Sequence, residues 1–249
     1  MKKRRGSSRY FFIFFLLLIV LGSLGYGMRM LITKISFFNI NKIEVTGNTT
    51  LESDFLSNLA GDFIGQNLYA VSKKNVMVKF NNIIRVKDVT VVRMFPDKLK
   101  IKIRERRGVF SLITADGELF PIDDEFVILD NDNFSLFTNI PMIHLQNTKE
   151  DIIPGMQMQS DELNEIFSFY TEIRKIESDF FDKVSEIFIS DEEIHVVEKN
   201  KGYLVIFGND SLEDQLKQFS FIEENRDFEV GSTVDLRFED QLIIRTEVR

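Results

Sequence analysis

The chain has 249 residues, 31 Lys+Arg against 39 Asp+Glu and a formal net charge of −8. Hydrophobic residues make up 44% of it, enough for a membrane segment plus one or two compact domains. Cysteine is absent, which excludes disulfides, thiolate zinc sites, a Cys nucleophile and a lipoprotein anchor, and leaves the redox compartment undetermined.

Lys2, Lys3, Arg4, Arg5 and Arg9 precede an uncharged run of 19 residues, Tyr10 to Met28. As a helix this run is roughly 28 Å long, about the hydrocarbon thickness of a bilayer. Basic residues in front of it, with no acid among them, predict a cytoplasmic N-terminus by the positive-inside rule. The small residues of Gly22–Gly25 would also suit a cleaved signal peptide. The apolar run continues past them without an Ala-x-Ala pattern, so a retained single-pass anchor is the reading adopted.

Charge then divides the rest of the chain. From Lys34 to Gly108 there are 14 Lys+Arg and 7 Asp+Glu, net +7; from Val109 to Arg249 there are 11 and 32, net −21. The break predicts two domains meeting near Arg107-Gly108. The expected organisation is a tail at 1–9, a transmembrane helix at 10–32, a first domain at 37–107 and a second at 108–249.

In the first domain, Ile40–Thr46 reads as a strand ending in a Gly-Asn turn. A helix follows, with Thr50 and Ser53 as caps, Leu51, Phe55, Leu56 and Leu59 on one face and Gly61 as its stop. A second helix starts near Ser72 and carries Val76, Val78 and Phe80. "VKDVTVVRMFPDKLKIKIRERR", Val86 to Arg107, reads as a hairpin around a Phe-Pro-Asp turn. The order is β-α-α-β-β, a three-stranded sheet covered on one face by two helices.

The second domain begins with two strands, "GVFSLI" and "LFPID", around an Asp-Gly turn. Residues 123–155 show no clear periodicity. "DELNEIFSFYTEIRKIE" is an amphipathic helix with Leu163, Ile166, Phe167, Tyr170 and Ile173 on one stripe. Strands "KVSEIFIS", "EIHVVEK" and "GYLVIFG" follow, then a helix with Leu212, Leu216, Phe219 and Ile222 inward. "STVDLRF" and "QLIIRTEVR" close the chain as strands. The fold class is α+β, a transmembrane helix and a small β-α-α-β-β domain followed by a mixed β-rich domain.

Enzymatic signals are weak. His144 and His195 lack metal-ligand spacing. Asp130 and Asp132 open like a calcium loop, but Ser135 stands where Gly is needed and Pro141 where the bidentate Glu belongs. Phosphate loops and nucleophile elbows are missing. The acidic clusters Asp123-Asp124-Glu125 and Asp191-Glu192-Glu193 read as solvated turns. No enzyme activity, cofactor or metal is expected.

The hairpin places Lys98, Lys100, Lys102 and Arg104 at alternate positions, with Leu99, Ile101 and Ile103 turned to the helices. An extracytoplasmic location and the lack of stacking aromatics within its strands argue against nucleic acid. A solvated sheet face, or a face for an acidic partner or anionic lipid headgroups, remains.

These residues resemble the FtsQ/DivIB family of bacterial cell-division proteins. "INKIEVTGN" is similar to the first strand and turn of the family's POTRA domain, and "GQNLYAVSKKNVMVKF" to its approach to the second helix. The hairpin resembles the family's signature, with Phe95-Pro96 as the aromatic-Pro turn and Glu105-Arg106 at the strand end. "STVDLRFEDQLIIR" resembles the terminal Val-Asp-Leu-Arg-aromatic strand, and "GYLVIFGNDSLEDQLKQF" the strand and helix before it. Arg107-Gly108 stands where the family usually has Pro after the Glu-Arg pair. The resemblance implies a non-enzymatic scaffold at the division septum that binds FtsB/DivIC- and FtsL-type bitopic proteins and helps regulate septal peptidoglycan synthesis. It also implies partner binding at an exposed edge near the last strands, at Arg237, Phe238, Glu239 and Asp240. Arg93, Lys98, Lys100, Lys102 and Arg104, on the POTRA edge, form a second expected surface. A POTRA-type envelope assembly factor is the alternative reading; an envelope hydrolase lacks a carboxylate pair or metal site to support it.

Overall fold

A computed structural model describes residues 7–114, 117–131, 139–145, 152–238 and 241–246. The chain folds as two compact bodies that part between Glu105 and Arg106.

The first body begins with α1, Ser7–Ile32. Its segment Tyr10–Ile32 is 23 residues long and apolar enough to cross a membrane, about 34 Å at the helical rise. A three-stranded sheet follows, built from β1 (Lys42–Thr46), β2 (Val86–Met94) and β3 (Lys98–Glu105) in the order β1-β3-β2. The last strand is therefore central, parallel to β1 and antiparallel to β2. Two helices, α2 (Ser53–Ala60) and α3 (Lys73–Asn81), cover one face. Alternation along β3 buries Leu99 and Ile101 completely and Ile103 nearly so, against Leu56, Val76 and Phe80.

Ser72 caps α3 as its position suggests, its hydroxyl accepting from Asn75 N at 3.3 Å. Neither Thr50 nor Ser53 caps α2. The cap position is Glu52, which makes no side-chain cap bond, and the Thr50 hydroxyl donates instead to Glu105. Phe55 and Val78 face solvent rather than the core. Phe55 lies about a third of a turn from the buried stripe of α2 and Val78 about half a turn from that of α3, where burial would need a wider apolar face than two helices on one small sheet provide.

The second body is an eight-stranded mixed sheet with helices packed on it. Its strands are β4 (Gly108–Ile113), β5 (Leu119–Asp123), β6 (Met142–His144), β7 (Val184–Ser190), β8 (Glu193–Glu198), β9 (Leu204–Phe207), β10 (Thr233–Phe238) and β11 (Gln241–Arg245). The order across the sheet is β11-β10-β9-β8-β7-β6-β4-β5. Helices α4 (Asp161–Ile176) and α5 (Leu212–Asn225) bury Leu163, Ile166, Phe169, Ile173, Leu216 and Phe219 against Phe110, Ile187, Val205, Phe207 and Val234. Phe169 takes the deep position in α4, while Tyr170 packs half-buried with its ring 4.9 Å from Phe110.

The stretch without periodicity holds β6, a three-residue strand inserted parallel to both β4 and β7. So short a strand leaves no alternation to detect. Asp123 is fully buried, correcting its reading as a solvated turn. Arg106 Nη1 donates to Asp123 Oδ2 at 2.5 Å and to Glu125 Oε2 at 3.0 Å, and the amides of Glu125 and Val127 donate to Asp123 Oδ1. Asp191 and Glu192 do form an exposed turn, both with positive φ, as a two-residue hairpin of the primed type requires.

Candidate partner-binding surfaces

At one end of the eight-stranded sheet, β9, β10 and β11 set Ile206, Asp235 and Ile243 side by side on one face. Asp235 is completely buried there, and a buried carboxylate needs charged partners. Arg237, two residues on and therefore on the same face, grips it as a fork, Nε to Oδ1 at 2.8 Å and Nη2 to Oδ2 at 2.7 Å. Arg245 Nη2 lies 3.6 Å from Oδ2. Hydrogen bonding from Arg237 holds the Asp235 carboxyl below its ordinary range against the opposing effect of burial, and the same bond raises the Arg237 guanidinium. Behind Arg237 stands Gly208, where a Cβ would come 3.0 Å from the Arg237 Cα. Gln215 ties that glycine to α5 through Gly208 N at 2.9 Å and Gly208 O at 3.2 Å.

Phe238 does not share a patch with Arg237. It is 43% exposed and shares a shallow groove with Leu236 and the start of α5, including Ser211, Asp214 and Lys217. Glu239 and Asp240 lie outside the described residues. The strand carrying Arg237 and Phe238 is not an edge, since β10 pairs with β9 on one side and β11 on the other. Among the described residues, the strand left with one unpaired side at this end of the sheet is β11, with Gln241 and Arg245 exposed and Leu242, Ile243 and Ile244 half-buried. An unpaired strand of this kind presents backbone donors and acceptors to an incoming strand. The sequence already carried that signal in "QLIIR", the last apolar run, one turn beyond the Arg-aromatic pair.

The POTRA-like surface also differs from expectation in three respects. Lys98, Lys100, Lys102 and Arg104 do point away from the helices, but along the central strand rather than an edge. Arg93 is on the opposite face. It pairs with the inward Leu99, and its Nη2 donates to Val71 O at 2.7 Å. The cation row is also partly neutralised, because Glu44 on β1 bridges Lys98 and Lys100, the second at 2.7 Å. Those bonds, Lys100's foremost, hold the Glu44 carboxyl down to about 2. Lys102 and Arg104 are the most exposed of the row.

A buried cap missed by sequence reasoning lies at the end of β3. Glu105 is 8% exposed and accepts from Thr49 N (2.7 Å), Thr50 N (2.8 Å), Leu51 N (3.1 Å) and both threonine hydroxyls, at 3.0 and 2.5 Å. Burial pushes its pKa up, yet these bonds outweigh it and the net shift is downward. Glu105 thus closes the first body while Arg106 anchors the second. Among the described residues no cluster of three or more His, Cys, Asp or Glu side chains could hold a metal ion. His195 stacks on Phe188 with ring centroids 5.0 Å apart, and His144 lies 3.6 Å from Glu186.

Residues 38–106 match the family described as POTRA domain, FtsQ-type, and residues 103–237 the family described as cell division protein FtsQ/DivIB, C-terminal. The chain is 25% identical over 236 residues to cell division protein FtsQ of Geotalea daltonii, covering 90% of this chain and 82% of that protein. It is 26% identical over 116 residues to cell division protein DivIB of Clostridium botulinum, covering 47% of this chain and 44% of the relative's length. A 90-residue match to DivIB of Paenibacillus polymyxa is 29% identical, over 36% of this chain and 35% of the relative. A POTRA-type body and a C-terminal domain that match in order, behind an anchor-like helix, leave one conclusion: the chain belongs to the FtsQ/DivIB family of cell division proteins.

Proposed function

We propose that this chain is a non-enzymatic, single-pass scaffold of the division septum, with its N-terminus in the cytoplasm and both bodies outside. It captures FtsB/DivIC- and FtsL-type bitopic proteins by adding one of their strands to β11, and through them helps regulate septal peptidoglycan synthesis. The observation that carries this reading is the free edge of β11, flanked by the Asp235–Arg237–Arg245 cluster. Backbone pairing would supply affinity, and the half-buried Ile243 beside that cluster would help select the partner. Arg237 acts here mainly by holding Asp235, and so by keeping β10 and β11 in register. The anchor orientation rests on Lys2, Lys3, Arg4, Arg5 and Arg9 before the apolar helix.

A photo-crosslinking residue placed at Gln241, exposed on the free edge, should capture an FtsB/DivIC-type protein in dividing cells. The same residue at Phe221, 65% exposed on α5, should not. Depletion of the protein should give long filaments with segregated nucleoids and no completed septa. Complementing cells that show no adduct at Gln241 would refute the edge-capture reading, and normal division on depletion would refute the scaffold reading as a whole.

A further inference from the structure

The end of α1 passes into the first body with almost no free linker. Thr33 N donates to Arg29 O at 3.2 Å, Lys34 N to Leu31 O at 3.0 Å and Ile35 N to Ile32 O at 3.4 Å, which carries helix-like turns beyond the last helical residue. Asn67, itself buried, donates through Nδ2 to both Ile32 O and Ile35 O at 3.1 Å. That side chain ties the α2–α3 connection to the helix terminus. The first body is therefore held against whatever layer surrounds the end of the apolar span.

The surface at that end is aromatic. Phe37 and Phe38 lie 5.3 Å apart between ring centroids, Phe95 is 6.1 Å from Phe37 and 6.0 Å from Phe38, and Tyr69 is 5.3 Å from Phe38. Phe95 comes from the β2–β3 turn, which is pinned to the start of β1 by Asn41 N donating to Asp97 O at 3.0 Å. Phe95 is 69% exposed, Phe37 60%, Ile35 46% and Met94 41%. Outside α1, the first body has four exposed aromatics, Phe37, Phe55, Tyr69 and Phe95, and three of them are in this one cluster. Lys34 and Lys42, both exposed, flank it.

We infer that this cluster is a docking surface for the lipid interface of the bilayer that α1 spans, with Phe37 and Phe95 entering the headgroup layer. The inference takes α1 as a membrane anchor. Phe37 stands five positions beyond Ile32, a rise of at most roughly 9–11 Å because Ile35 is extended between the helical turn and the short 3₁₀ segment, and a phenyl side chain at that height reaches back into a headgroup layer about 5–8 Å thick. Aromatic rings favour that depth, and flanking lysines favour anionic phosphates. The rings are set at this height by covalent continuity with the span and by Asn67. A lipid surface is therefore the occupant that the geometry specifies, and docking there would fix the tilt of the first body on the membrane.

The chain contains no tryptophan, so a single Phe95→Trp substitution gives a unique fluorescent reporter. The full chain is reconstituted into phosphatidylcholine/phosphatidylglycerol vesicles, and flotation with the vesicles confirms anchoring. Emission at position 95 should be blue-shifted and should be lost when the lipid carries bromines near the headgroup end of its acyl chains. Phe55→Trp, at the start of α2 on the Glu105 side of the body, should remain water-like and unquenched. Phe37→Trp repeats the measurement should Phe95→Trp disturb the turn. An unquenched, water-like spectrum at both positions overturns the inference, and so does a blue-shifted but unquenched one, which would mean that protein covers the cluster. Failure to float would remove the anchor reading, and this inference with it, without touching the edge of β11.

Discussion

Replacing Glu105 by Ala removes one acceptor group that serves five donors. Three are backbone amides of Thr49, Thr50 and Leu51, at 2.7, 2.8 and 3.1 Å, and two are threonine hydroxyls. Hydrogen bonds to a charged group contribute about 1.5–3 kcal/mol each when broken singly, but these share one carboxylate, and Thr49 is exposed enough to turn to water. A net loss of about 3 kcal/mol is expected, against about 5–15 kcal/mol for a typical domain. Glu105→Gln should recover less than half, because its amide nitrogen would face N–H donors. The assay is urea-dependent hydrogen exchange of the full chain in detergent, read by mass spectrometry. Peptides covering residues 42–60 should lose protection at lower urea while those of α4 and β7 serve as an internal reference. The carboxyl is lowered in the folded state, so its contribution is fully present above the unfolded value near 4.5 and is lost as pH falls through the lower folded value. Protection of residues 42–60 should accordingly fade selectively in acid in the wild type and be less pH-sensitive in Glu105→Ala. A shift below about 0.5 kcal/mol, within the range of ordinary surface changes, would refute the assignment of Glu105 as the clasp of this turn.

Gly47 has φ +96°, and a Cβ there would lie 2.1 Å from Ile103 O, so Gly47→Ala should destabilise the first body by at least about 2 kcal/mol by the same exchange assay. Arg237→Ala leaves the buried Asp235 with Arg245 alone and should cost about 3 kcal/mol in urea unfolding of the second body; the double change Arg237→Ala with Asp235→Ala should recover part of it. Glu44→Gln breaks only a surface bridge to Lys98 and Lys100 and should leave thermal unfolding within error of wild type. Ile101→Ala empties a fully buried site in the central strand and should cost about 2–5 kcal/mol by denaturant unfolding.

The parts of this fold that are legible in sequence are those governed by local period. Leu99, Ile101 and Ile103 alternate with cations because β3 has one wet face, and the α4 stripe at Leu163, Ile166 and Ile173 follows the helical repeat. What sequence reasoning misses is decided by distant partners. Glu105 meets Thr49–Leu51 from 54–56 residues away, and nothing near Thr50 reveals that its hydroxyl serves another strand. Arg93 looks like one more cation of the hairpin, yet its register opposite Leu99 turns it inward to Val71 O. Asp123 resembles its acidic neighbours until Arg106 closes on it. At the candidate site the terminal strands are readable, but which of them is the edge depends on the sheet order, which single strands do not encode. Spacing within a strand also hides that Arg237 and Phe238, adjacent in sequence, serve different sides of the sheet.

The strand order of the second body has a metric consequence. The chain enters at β4 and finishes at β11, and the order β11-β10-β9-β8-β7-β6-β4 places six inter-strand steps between them. At about 4.8 Å per step, the sheet is a ruler of roughly 29 Å laid between the point where the polypeptide arrives and the point where a partner strand would join. An insertion in a loop would leave that length unchanged, whereas deletion of a hairpin pair would shorten it by two steps. Each strand added by a partner would lengthen the ruler by one further step, so assembly at β11 would carry the captured protein outward along the sheet in fixed increments.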